Sequence, residues 1–254
     1  MIKKLLLLFL MIFVFALTAQ NAHCQTIKKD VQIQTPDNRV IKATISYVKL
    51  PNVKQYPTVL LLHSLGYSST DWGNLVELLN NAGYAVIAMD FRGHGKSIYD
   101  GQLKRKPWVY FKPKAFSKFP NDVEAIFTQA QKDCKQVSSK NYAIVGADIG
   151  ANTAVLAAND LKNKPKTLVL ISPTTSFKGL YIPIAIAQIG QVPILSMVSQ
   201  KDVYGLQEQK SLSKFAQGGF YARNYPLGGM GMMMIQQNPT MTVDITKWLL
   251  KYLH

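Results

Sequence analysis

Apolar residues occur in two kinds of run along this chain. Val31 to Ile33 and Val40 to Val48 alternate apolar with polar around Thr35-Pro36-Asp37-Asn38. A period of two broken by turn residues predicts an antiparallel hairpin. Further on, Thr58 to His63, Tyr84 to Met89, Tyr142 to Val145, Thr167 to Ile171 and Ile194 to Val198 are near-continuous apolar runs of strand length. Strands look like this when both faces are covered, as in a parallel sheet with helices on either side. Phe220 to Tyr225 reads as a final strand.

Helix patterns lie between these runs. Asp71 can cap a helix carrying Leu75, Leu78 and Leu79 that stops near Gly83, and Asp122 can open another with Val123, Ile126, Phe127 and Ala130 at three-and-four spacing. A third helix follows Gly150 with Val155 and Leu156 inward, and Val243 to Leu253 supplies the last. The alternation of strands and helices predicts one α/β domain, a mostly parallel sheet entered by an antiparallel hairpin. No internal repeat or low-complexity linker divides it.

The first residues change the picture of where this domain begins. Lys3 and Lys4 precede an apolar run of 13 residues, Leu5 to Leu17, followed by small and polar residues. That is the layout of a secretory signal peptide, and the run is shorter than the roughly 20 residues a membrane span needs. Ala22-His23-Cys24 before Gln25 suits cleavage after Cys24, with Ala19 and Ala22 as other cleavage points. The expected organisation is a signal peptide at 1–24 and a single domain at 25–254, secreted or periplasmic. A lipoprotein would acylate Cys24, but Asn21-Ala22-His23 lacks the leucine and final small residue of such sites. Once Cys24 is removed only Cys134 remains, so no intrachain disulfide is expected.

With 48% hydrophobic and 17% charged residues, the chain has globular composition. Its 29 Lys and Arg against 14 Asp and Glu give a net charge of +15. Such an excess favours anionic surfaces, lipid headgroups or cell-wall polymers, and export makes nucleic acid the partner that fits least. Between 104 and 119, six basic residues (Lys104, Arg105, Lys106, Lys112, Lys114, Lys118) interleave with Trp108, Tyr110, Phe111, Phe116 and Phe119. The segment suits an anionic membrane or cell-wall surface. The plainer reading is a loop whose aromatics pack inward while its lysines are solvated.

Three motifs in order then carry a family resemblance. The strand from Thr58 runs into His63-Ser64-Leu65-Gly66; the next ends in Asp90-Phe91-Arg92-Gly93-His94-Gly95-Lys96-Ser97; the third enters Gly146-Ala147-Asp148-Ile149-Gly150 and a helix. A sharp strand-to-helix turn needs glycines where backbones approach closely. Together these motifs resemble the α/β-hydrolase superfamily, nearest its serine aminopeptidase and dienelactone hydrolase branches. The resemblance implies an α/β-hydrolase fold. With only nineteen residues between Pro173 and Pro193, no large cap is expected.

It also assigns positions. Asp148 stands at the nucleophile elbow where serine is usual, Asp202 on the loop that carries the triad acid, and Met230, in Gly228-Gly229-Met230-Gly231, where histidine is expected. The oxyanion hole would use the backbone N–H groups of Leu65 and Ile149. A serine triad needs histidine to move the proton. Asp148 is an anion without help, and its place at a helix N-terminus is expected to favour that anion further. Dehalogenases and epoxide hydrolases of the superfamily attack with such an aspartate, but a histidine-activated water then frees the ester, and methionine activates no water. His63 and His94, in the motif loops, are the remaining histidines near the site.

The expected protein is therefore an exported α/β-hydrolase-fold protein that binds an unknown small or apolar ligand in the old cleft without turning it over. The alternative is an unorthodox esterase or an aspartate-nucleophile hydrolase. The run Met230-Gly231-Met232-Met233-Met234 is read as apolar filler. A thioether copper site lacks nearby Cys or His, and nothing in the sequence calls for a metal or cofactor.

Overall fold

The computed structural model describes residues 25–253. The predicted signal peptide with Cys24, and His254, lie outside the described residues. Strands β1 (Thr26–Gln34) and β2 (Val40–Val48) pair antiparallel, with Val31 opposite Ala43. In the turn between them the Thr35 hydroxyl donates to Asp37 at 2.6 Å and accepts from the Arg39 N–H at 2.9 Å. The chain continues through β3 (Tyr56–Leu62), α1 (Leu75–Asn81), β4 (Ala85–Asp90), α2 (Pro113–Phe116), α3 (Phe119–Asp133), β5 (Val137–Ala147) and α4 (Ile149–Asp160). Then come β6 (Thr167–Ile171), the short hairpin β7 (Ser176–Phe177) and β8 (Leu180–Tyr181), α5 (Pro183–Gln188) and β9 (Ile194–Ser199). It closes with α6 (Val203–Ser213), β10 (Phe220–Tyr225), α7 (Met232–Gln237) and α8 (Thr240–Tyr252).

Eight strands form one sheet in the order β1-β2-β4-β3-β5-β6-β9-β10. The pairs β1/β2 and β2/β4 are antiparallel and all the others parallel. The continuous apolar runs are explained by the two cores the sheet separates. Val59 and Leu61 of β3 point into one core with Leu75, Leu79 and Ile245, while Leu60 and Leu62 point into the other with Val123, Ile126 and Val155. Successive residues of β4, β5 and β6 divide the same way, as the period of two requires. Truncating Leu60 or Leu61, each buried, to alanine costs about 2–5 kcal/mol.

Two predicted helix starts are corrected. Helix α1 begins at Leu75 without a side-chain cap, because the Asp71 carboxylate instead accepts from the N–H and hydroxyl of Ser68, both at 2.7 Å. Helix α3 begins at Phe119, three residues early, and Asp122 lies buried in its first turn against Arg92. The Arg92 guanidinium meets Asp122 through Nε and Nη2 at 2.6 Å each, and Asp37 of the hairpin turn through Nη1 at 2.6 Å. Burial works against this cation, but the two carboxylates outweigh it and its pKa is raised. Cys134, just past α3, is a buried free thiol. The residues between Pro173 and Pro193 form only β7, β8 and α5, and among the described residues no large cap covers the sheet.

Candidate active site at the strand-to-helix elbow

Strand β5 passes into α4 within one residue, and that residue is Asp148, with φ 54° and ψ −118°. A non-glycine residue in this region is strained, at a cost of order 1–3 kcal/mol. The turn is held because its flanking residues have no room for a Cβ. At Gly146 a Cβ would sit 2.2 Å from the Gly150 carbonyl oxygen, and at Gly150 it would sit 2.0 Å from the Leu62 carbonyl oxygen. Helix α4 thus packs directly on the backbone ends of β3 and β5.

The Asp148 side chain is partly buried and turns toward the loop after β3. Leu65 donates its N–H to Asp148 Oδ2 at 3.2 Å. The Ile149 N–H also stabilises the carboxylate, but burial outweighs both donors and raises the pKa. The expectation that the helix N-terminus would make Asp148 more readily ionised is therefore corrected: desolvation is the larger effect. The two backbone donors that the resemblance assigns to an oxyanion hole face the chain's own carboxylate.

The last loop closes the other side. Gly231 has φ 54° and ψ −128°, nearly the conformation of Asp148. Its N–H donates to the Ser172 hydroxyl and the Met232 N–H to the Ser64 hydroxyl, each at 2.9 Å. A Cβ on Gly231 would lie 2.1 Å from Ser64 Oγ and 2.9 Å from the Asp148 Cβ. Met230 is 42% exposed, while Met232 and Met234 are fully buried. The residue of this loop that packs against Asp148 is thus Gly231, which sequence reasoning did not single out. Its contacts come from residues 64, 148 and 172, so no local pattern announces it.

Asp202 caps α6, accepting from the Gly205 N–H at 2.8 Å through Oδ1. Its Oδ2 is buried and has no hydrogen-bond partner. Both histidines of the motif loops have their ring nitrogens engaged. His63 accepts from the Phe91 N–H at 3.1 Å and donates to the Ser64 carbonyl at 2.7 Å. His94 accepts from the Gly66 N–H at 3.1 Å and donates to the Arg92 carbonyl at 3.1 Å. Burial, with His63 alongside, lowers the His94 pKa to about 3, and burial lowers that of His63. Both rings are neutral at physiological pH and neither has a nitrogen free to take a proton from a substrate or water.

The basic and aromatic segment divides. Phe116 and Phe119 are buried, and Trp108 stacks on His94 with ring centroids 5.5 Å apart and planes 3° from parallel. Tyr110 is instead 83% exposed. Between Trp108 and the loop after β3 lies a cavity of about 380 Å³ lined by Tyr67, Ser68, His94, Arg105 and Tyr110. Among the described residues no group of His, Cys, Asp and Glu is arranged to hold a metal ion.

The parallel strands β3, β4, β5, β6, β9 and β10, the hairpin at one edge, the glycine-held elbow and the loop after β10 define an α/β-hydrolase fold. A family model described as serine aminopeptidase, S33, matches residues 54–215, and the chain belongs to that family. The matched region includes Asp148 and Asp202 and ends before β10. Among solved structures the chain is similar to a dienelactone hydrolase from Anabaena variabilis, at 15% identity over 91% of this chain and 100% of that one, with TM-score 0.67. It is also similar to an esterase from Pyrococcus furiosus (19% identity, 90% and 91% covered, TM-score 0.66) and an acetyl xylan esterase from a Paenibacillus (15%, 92% and 86%, TM-score 0.67). No curated protein sequence matches it.

Proposed function

We propose that this chain is an exported α/β-hydrolase-fold protein that has lost hydrolysis and acts by binding a small ligand beside the old elbow. The observation that carries the reading is the Leu65 N–H bonded to Asp148 Oδ2. An oxyanion hole accelerates acyl transfer only if its donors are free for the charge that develops in the transition state. Here they face a resident carboxylate. The elbow position holds no hydroxyl, and Met230 can move no proton. His63 and His94, with both nitrogens engaged, offer no substitute base. The cavity at Trp108 and His94 supplies a concave, partly aromatic surface of the kind that holds small molecules. Export rests on Lys3, Lys4 and the run from Leu5 to Leu17.

The test uses the chain beginning at Gln25, assayed with activated esters, epoxides and haloalkanes and followed by intact mass. We expect neither turnover nor adduct. Sustained turnover abolished by Asp148→Ala would overturn the reading. A stoichiometric adduct on Asp148 would replace it with aspartate-nucleophile chemistry arrested at the ester.

A further inference from the structure

Single exposed apolar residues are ordinary on any protein surface, and Val53, Phe215, Val243 and Leu250 are such residues; a cluster of them at one edge is not ordinary. In a parallel sheet every loop that follows a strand emerges at the same edge, here the one carrying the elbow. Leu103 (82% exposed) and Tyr110 (83%) follow β4, Tyr181 and Ile184 follow β6, Val203 opens α6 after β9, and Leu227 follows β10. All six project large apolar side chains into solvent.

Basic residues dominate two segments of this edge and a third carries no charge, while the acids of its other loops, Asp37, Asp71 and Asp202, are each hydrogen-bonded within the fold. The chain carries no acidic residue from 101 to 119, from 172 to 190 or from 226 to 239. The first stretch holds Lys104, Arg105, Lys106, Lys112, Lys114 and Lys118, and the second holds Lys178. Two of the tips are also strained: Leu103 has φ 61° and Lys178 φ 50°. A β-unbranched side chain held in the left-handed region at an exposed tip is costly to keep, and nothing in the fold's own packing uses the Leu103 side chain.

We propose that this edge docks on an anionic lipid bilayer, with Leu103, Tyr110 and Ile184 entering the headgroup and acyl boundary and the lysines resting on lipid phosphates. A polyanion such as nucleic acid or a cell-wall polymer would satisfy the charge, but it offers exposed aliphatic tips no hydrocarbon to enter. A bilayer satisfies both halves. Among the described residues no helix is long and apolar enough to cross a membrane, so the mode is surface attachment. The inference stands on the distribution of exposed residues and does not require Asp148 to be inert.

The chain beginning at Gln25, which contains the whole sheet and both cores, is sedimented with phosphatidylcholine vesicles, alone or mixed with phosphatidylglycerol, at low salt. Partitioning to the mixed vesicles should exceed that to the neutral ones at least tenfold or so. Two variants then separate the halves: Leu103→Asn with Tyr110→Ser, and Lys104→Gln with Arg105→Gln and Lys112→Gln. Each should weaken partitioning several-fold, while Val53→Ser, exposed at the opposite edge, should not. All the altered side chains are exposed, and urea unfolding checks that each variant remains folded. Absence of binding to the mixed vesicles overturns the proposal. So does a Leu103/Tyr110 variant that binds as well as the parent, because attachment would then be adsorption of a cation without insertion.

Discussion

Leu65 and Asp148, 83 positions apart in sequence, are joined by the hydrogen bond from the Leu65 N–H to Asp148 Oδ2 at 3.2 Å. One residue sits in the loop after β3 and the other at the end of β5, strands that are neighbours in the sheet. The bond therefore reports how the sheet brings donor and carboxylate together, and it places a titratable group where burial and hydrogen bonding oppose each other.

That opposition has a pH signature. In the unfolded chain the Asp148 carboxyl titrates near 3.8; in the folded chain burial raises it despite the Ile149 and Leu65 N–H groups. Between the two values the folded state holds a proton that the unfolded state has lost. This contribution to stability is therefore full below pH 3.8 and is lost as pH rises through the folded value. Asp148→Asn keeps an acceptor for Leu65 and removes the buried charge. Thermal unfolding should show the variant matching wild type in strong acid and more stable by a few degrees at pH 7. A variant less stable than wild type at pH 7 would show that the donors outweigh burial.

Installing the family's usual side chains at these two positions is not expected to produce ester hydrolysis. Asp148→Ser with Met230→His supplies a nucleophile and an imidazole, but the part of the last loop that packs on the elbow is Gly231, with no room for a Cβ beside Ser64 and Asp148. Position 230 is 42% exposed. The double variant should fold and show no ester turnover above the Asp148→Ser single variant; a gain of about tenfold or more, measured with a short-chain activated ester, would show that the loop can swing its histidine inward.

The Arg92 network makes the third prediction. Arg92→Met leaves Asp122 buried and unpaired, which should cost about 3–5 kcal/mol in urea unfolding. Adding Asp122→Leu should return at least half of that loss, because no uncompensated buried charge remains. Asp37, 49% exposed, can turn to solvent in both variants. Equal instability of the single and double variants would indicate that packing of the guanidinium matters more than its charge.

Much of this architecture was legible in the sequence. The hairpin, the two-faced strands and the elbow glycines each follow from local rules, because alternation, burial on both faces and the absence of a Cβ leave marks on neighbouring residues. The helix starts failed where other groups claimed the capping residues: Ser68, in the same turn, took Asp71, and Arg92, from the loop after β4, took Asp122. Helix α6 went unread because its apolar positions are sparse, and the methionine run, read as filler, forms α7 with Met232 and Met234 inward and Met233 half exposed. Asp148, Asp202 and Met230 could be placed by motif, yet which backbone lies over Asp148 depends on loops far apart in the chain.

The glycine at position 231 has a consequence for how this family member could change over generations. Because main chain rather than a side chain lies against the elbow, no smaller side chain at position 231 exists that would clear it. On the reading proposed above, a change in the length of the loop between β10 and α7 is the direct way to move that backbone off Asp148.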